Sequence, residues 1–272
     1  MNVKWLYQDG LEHDPRVDRF HNTDSEQLWK DNLNDPQKKA LLDKFGWNPL
    51  PPDERCVGDR FLWNPDDPGI NDWVELSYQI NSHGFRGIEM PTEKKPRSII
   101  TIGCSTTMGI GMPVGQIWPT IVGNALKIRA YNLGKCAGSH DSSFRLLYGW
   151  LPRIRPAAVF FLEPPGIRYE LITNSLGYHN TSAMSPEPIP YRFETEDEWL
   201  LSREKTMRAI KSLCEQFNTP FYHTHQDGDD EFFKYFDDHD KARDLQHAGR
   251  KRHIFWGMKF LQMAGHEWDF KT

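Results

Sequence analysis

The sequence predicts an α/β fold: a three-layer α/β/α sandwich around a short parallel sheet, preceded by an irregular, partly helical extension. Two observations carry this. From residue 98 onward, short apolar runs alternate four times with segments of helical periodicity, the pattern of a parallel sheet with helices on both faces. Before residue 73 the chain is polar and rich in Asp, Asn, Pro and Trp, with too few apolar residues to build a core alone. The expected organisation is an extension over residues 1–72 that packs on a main domain over residues 73–272.

In the extension, DPQKKALLDKFG reads as a helix, with Asp35 as N-cap, Pro36 at the first helical position and Gly46 as the stop. SEQLWKDNL is a second helical stretch, and NPLPPDERCVGDRFLWNPDDPG is loop punctuated by proline and glycine. Trp5, Trp29, Trp47, Trp63 and Trp73 are expected to hold the extension to the main domain rather than to stack on sugar rings, because aromatics bury the most area per residue.

In the main domain, VELSYQI alternates like a strand and is followed by a turn at NSHGFRG. SIITIG, residues 98–103, is a short buried strand rich in β-branched residues. WPTIVGNALKI places apolar residues at 118, 121, 122, 125 and 126, which is a helical stripe. AYNLG is a second strand and SSFRLLYGWLPRI a helix. AAVFFLE, residues 157–163, is apolar without a break, as a strand covered on both faces must be. EKTMRAIKSLCEQF is a helix, PFYHTH a fourth strand, and HAGRKRHIFWGMKFLQMAG a closing helix.

The net charge of −5 argues against a nucleic-acid partner, which would need a basic face. The four cysteines are scattered and form no CxxC, so neither a zinc site nor a disulfide framework is expected. No apolar leader opens the chain and no run approaches a membrane span, so a cytoplasmic location without membrane contact is expected. HTHQDGDDEFFKYFDDHD is dense in Asp and His, but Phe232 stands where an EF-hand loop needs glycine. It reads as a solvated acidic loop, and no metal or other cofactor is implied.

Ligands of open parallel sheets bind beyond the carboxyl ends of the strands. GCSTTMGIG follows the first strand there and places Ser105 where a hydroxyl sits beside free backbone N–H groups, the parts of a nucleophile that also donates to an oxyanion. The Walker, GxGxxG and GxSxG patterns are all absent, so on this loop alone Ser105 reads as a turn serine ahead of a nucleophile. Asp244 and His247 add weight. Their D-x-x-H spacing, just before the last helix, lets a carboxylate hold the Nδ1–H of an imidazole and leave Nε2 for the serine proton. Cys104 is expected to face the core, since side chains alternate along a strand end.

Three stretches carry a resemblance. INSHGFRGIEMPTEKKPRSIITIGCSTTMGIGMPVGQIWPTIV contains an N-x-x-GFR segment ahead of a strand that ends in a serine turn. YNLGKCAGSHDSSFRLL and DLQHAGRKRH follow in order. Over about two-thirds of the chain this resembles the SGNH/GDSL hydrolases. The resemblance implies a flavodoxin-like sheet with Ser105 as nucleophile and first oxyanion donor, Gly138 as a second backbone donor, His247 as base and Asp244 as its orienter. It also implies an acyl-ester substrate, by preference an O-acyl ester of a carbohydrate or small molecule; acyl transfer to a sugar is the alternative on the same fold. Two residues depart from the pattern. Cys104 replaces the family's Asp before the serine, and LEPPGIRYE has no Asn where the family places an oxyanion donor. Losing such a donor costs on the order of 10²–10³ in turnover, so a module that kept the fold and lost the chemistry is a third reading. Arg168 is a candidate to supply the missing positive charge; the competing reading pairs it with Glu163 or Glu170.

Overall fold

The computed structural model describes residues 81, 83–91, 97–136, 138–165, 168–173, 177–182, 196–226, 240, 242 and 247–266, together with a two-residue antiparallel pair, Asn48–Pro49 against Leu62–Trp63. The helices expected in the extension, the VELSYQI strand and the side chains of the five N-terminal tryptophans lie outside the described residues.

In chain order the main domain runs β1 (Ser98–Gly103), a one-turn helix α1 (Ser105–Met108), α2 (Trp118–Leu126), β2 (Arg129–Asn132), α3 (His140–Ile154) and β3 (Ala158–Glu163). A hairpin of β4 (Arg168–Thr173) and β5 (Gly177–Ser182) follows, then α4 (Glu196–Gln216), β6 (Phe221–His225) and α5 (Arg250–Met263). The sheet order is β2-β1-β3-β6 and every pairing in it is parallel. The three-layer expectation holds.

Alternation along the strands feeds two cores. On one face Ile100 and Ile102 of β1 and Val159 and Phe161 of β3 pack with Leu147, Trp150 and Leu151 of α3 and Ile210 of α4. On the other, Ile99, Phe160 and Leu162 meet Trp118 and Val122 of α2 and Trp256 and Phe260 of α5. Both faces of β1 and β3 are therefore dry, which is why these strands are apolar throughout. The β2-β1-β3-β6 order also fixes where a ligand fits. The chain leaves β1 toward β2 and leaves β3 toward β6, on the opposite side, so a crevice opens between the carboxyl ends of β1 and β3. Among the described residues no helix is long and apolar enough to cross a membrane.

Candidate active site

Ser105 is the first residue of α1, directly past the end of β1, and is only 7% exposed. The chain can turn this sharply because residue 103 is glycine: a Cβ there would collide with Thr107 Oγ1 and sit 2.6 Å from Leu162 O. Gly109, at φ 84°, ends the turn and donates its N–H to Ser105 O at 2.8 Å. The N–H of Ser105 lies in the first turn of α1, where a helix has no acceptor of its own.

His247 Nε2 lies 2.8 Å from Ser105 Oγ. The structure thus brings together two side chains that the sequence separates widely. Two backbone bonds set the imidazole in place: Ala242 N–H donates to His247 O at 2.9 Å, and Gly249 N–H donates to Asp240 O at 3.0 Å. The Asp240 carboxylate then accepts the N–H groups of Lys251 (3.0 Å) and Arg252 (2.6 Å), capping α5 from outside. Burial raises the pKa of Asp240, and these N–H bonds pull against that rise. The sequence offered Asp240 only as part of an acidic run. Its capping role depends on a loop path that spacing does not reveal. Asp244 lies outside the described residues.

Gly138 requires a correction. Its N–H donates to Lys135 O at 2.9 Å within a turn, so it is engaged rather than presented to an oxyanion. The glycine is needed for closeness instead: a Cβ would lie 2.9 Å from Gly103 O and 3.2 Å from Cys104 Cα. The β2 loop is stitched onto the serine turn by Asn132, whose Nδ2 donates to Thr107 O at 2.8 Å, and by the Lys135 N–H, which donates to Gly103 O at 3.1 Å.

Cys104 is 1% exposed, as the alternation required, and its thiol donates to Gln226 Oε1 at 3.0 Å. Arg168 corrects the competing reading. Glu170 pairs with Arg145 through two 2.8 Å bonds and Glu163 pairs with Arg203, so neither takes Arg168. Among the described residues Arg168 Nη1 is buried without a hydrogen-bond partner, and the residue lines a small cavity with His140, Asp141, Ser202 and Arg203.

Beside the serine turn, at the end of β3, Glu163 is a carboxylate whose side chain is fully buried. Oε1 accepts from His223 Nδ1 at 2.6 Å; Oε2 lies 3.2 Å from His140 Nε2 and accepts from Arg203 Nη2 at 2.6 Å. His225 Nε2 is 3.3 Å from the same oxygen and also touches Arg203. Burial pushes the Glu163 pKa up, but the bonds from His140, His223 and Arg203 outweigh it and hold the carboxyl far below its ordinary range. His225 is itself shifted down, first by burial and then by the neighbouring cations, against the pull of Glu163. Sequence reasoning missed this cluster, because its members come from four elements: β3–β6 register sets His223 and His225 beside Glu163, and the packing of α3 and α4 adds His140 and Arg203. Among the described residues no group of three His, Cys, Asp or Glu side chains could hold a metal ion.

No protein-family model and no curated protein matches the sequence. Among solved structures, the chain is similar to an acetyl xylan esterase from the rumen bacterium Butyrivibrio proteoclasticus, at 11% identity and TM-score 0.40, over 65% of this chain and 64% of that one. It is similar to a catalytic mutant of an acetylxylan esterase from Geobacillus stearothermophilus, at 14% identity and TM-score 0.38, over 67% of this chain and 100% of that one. A lipolytic protein of the G-D-S-L family from Desulfitobacterium hafniense shares 13% identity at TM-score 0.33, over 63% of this chain and 75% of that one.

Proposed function

We propose that the protein is a serine-dependent ester hydrolase with Ser105 as nucleophile and His247 as its base. The observation that carries this is the 2.8 Å approach of His247 Nε2 to a mostly buried serine hydroxyl at the switch-point crevice of a parallel sheet. With the ring proton on Nδ1, Nε2 accepts the hydroxyl proton as Ser105 Oγ attacks the acyl carbon. The developing oxyanion takes the Ser105 N–H. His247 returns the proton to the departing alkoxide as the ester bond breaks, leaving an acyl-serine. Water then attacks the acyl-serine with His247 again as base, and the acid leaves.

Asp244 is assigned to the Nδ1–H of His247 on the strength of its D-x-x-H spacing. Arg168 is assigned to substrate, since its buried Nη1 has no acceptor among the described residues. A carbohydrate or small-molecule O-acyl ester is the preferred substrate class, following the sequence resemblance. With the Gly138 N–H engaged in its turn, turnover is expected to be low, by on the order of 10²–10³ relative to a site with a second donor. The test is hydrolysis of p-nitrophenyl acetate and acetylated oligosaccharides by wild type, Ser105→Ala and His247→Ala. Both variants should lose a factor on the order of 10³ or more in kcat while keeping the wild-type melting temperature. A Ser105→Ala variant as fast as wild type overturns the proposal.

A further inference from the structure

The N-x-x-GFR segment lies outside the chemistry above, yet it builds a rigid device. Asn81 donates its N–H to Phe85 O (2.8 Å) and accepts from Gly84 N–H at its own carbonyl (3.0 Å). Its Oδ1 takes the N–H groups of His83 and Phe85, and its Nδ2 donates to Ile88 O at 2.9 Å. Gly84, at φ 87°, supplies the left-handed residue this turn needs. Phe85 is fully buried and meets Trp150 of α3 edge-on. The turn is thereby pinned to the core, and the next residue is Arg86.

Arg86 is only 2% exposed, and its guanidinium is spent on the serine turn. Nη1 donates to Met108 O at 3.2 Å and to Gly109 O, and Nη2 donates to Met112 O at 2.8 Å. These carbonyls lie at and beyond the C-terminal end of α1. A single helical turn has no stability of its own, so something outside must hold it. The Ser105 carbonyl is bound from this same end, by the N–H groups of Gly109 (2.8 Å) and Ile110 (3.2 Å). Residue 109 is held to glycine by its φ of 84° and by Ile117, whose Cγ2 would collide with a Cβ there; the same Cβ would lie 3.0 Å from Arg86 Nη1. The planar fork of arginine can serve three carbonyls at once; the point charge of lysine cannot. A cation here also complements the negative end of the turn's dipole.

We propose that Arg86 is a positioning residue for the nucleophile: by gripping the carbonyls of residues 108, 109 and 112 it fixes the turn whose first residue is Ser105. The proposal rests on Ser105 being the nucleophile, and the experiment separates the two. Wild type, Arg86→Lys and Arg86→Ala are reacted with a fluorophosphonate over a range of probe concentrations and pH values, with melting temperature and near-UV dichroism as fold controls. The maximal labelling rate should fall about 10–100-fold in Arg86→Ala, the scale of a misplaced reacting group, with the half-saturating probe concentration and the pH midpoint unchanged. Arg86→Lys should recover little, whereas millimolar methylguanidinium should restore much of the rate to Arg86→Ala. Wild-type labelling that survives unchanged in both folded variants overturns the positioning role and leaves Ser105 standing. A wild type that does not label overturns Ser105 and Arg86 together. If Arg86→Ala does not fold, Arg86→Lys decides by the same comparison; if neither folds, Arg86 is structural and the proposal is wrong.

Discussion

Ser105 and His247 are 142 positions apart in sequence and 2.8 Å apart in space. Both were legible in the sequence because each sits where sheet topology makes chemistry available: one just past the first strand, the other just before the last helix. Gly138 was singled out by the family resemblance alone, and a resemblance in sequence does not show whether an N–H is engaged. Gly138→Ala should therefore act sterically. Its Cβ would press on Gly103 O and Cys104 Cα, and overpacking of this kind costs about 1–3 kcal/mol. The expected result is a lower melting temperature together with slower acylation, measured by thermal denaturation and ester hydrolysis; wild-type values for both would contradict it. Arg168→Ala is expected to raise KM for an acylated oligosaccharide with little change in fluorophosphonate labelling, because its assigned contact is to substrate and not to Ser105.

The strands and helices were readable nearly to the residue where periodicity and burial agree. SIITIG matches β1 along its whole length, and PFYHTH and AAVFFLE match β6 and β3 to within one residue. Helix α4 begins at Glu196 rather than near Glu204; in its first two turns, EDEWLLSR, the apolar residues are three in a row, with Leu200 and Leu201 exposed, so they make no helical stripe. The β4–β5 hairpin was not read at all; its anchoring is polar, through the Arg145–Glu170 pair and the Glu170 N–H bond to Asp141. Helix α5 has no side-chain cap at Gly249, and the carboxylate of Asp240 takes that place from the preceding loop. Asp240→Ala should cost about 1 kcal/mol of stability, as loss of a helix cap does. It should also slow the proposed ester hydrolysis by loosening the segment that carries His247. Melting curves and kcat on p-nitrophenyl acetate check both, and a change in neither would contradict the capping role.

At the scale of the molecule, two buried groups among the described residues contribute to the response to acid with the same sign. His253 accepts the Trp118 N–H at Nδ1 (3.1 Å) and is fully buried. Burial, followed by the charges of Arg86 and His247, brings its pKa down to about 3 from 6.5. A lowered folded-state pKa means the unfolded chain takes up the proton first. The stability contributed by the neutral imidazole is therefore complete above pH 6.5 and is lost as pH falls from there toward 3. Glu163 acts with the same sign in a lower window: its contribution is complete well above pH 4.5 and is lost progressively as pH falls below it. Urea unfolding across this range should show stability falling from pH 6.5 downward, with a shallower slope in His253→Asn. Glu163→Ala should cost about 3–5 kcal/mol at neutral pH by leaving Arg203 without its buried partner. Neither group was visible as a pH-sensitive element in the sequence, because a histidine's shift depends on what the folded chain packs around it.

Active-site labelling tests the central claim most directly. Wild-type protein treated with a fluorophosphonate should carry one label, located at Ser105 by peptide mass spectrometry. Ser105→Ala should carry none, and His247→Ala should label far more slowly than wild type. Equal labelling of wild type and Ser105→Ala, or no labelling of wild type, would contradict it.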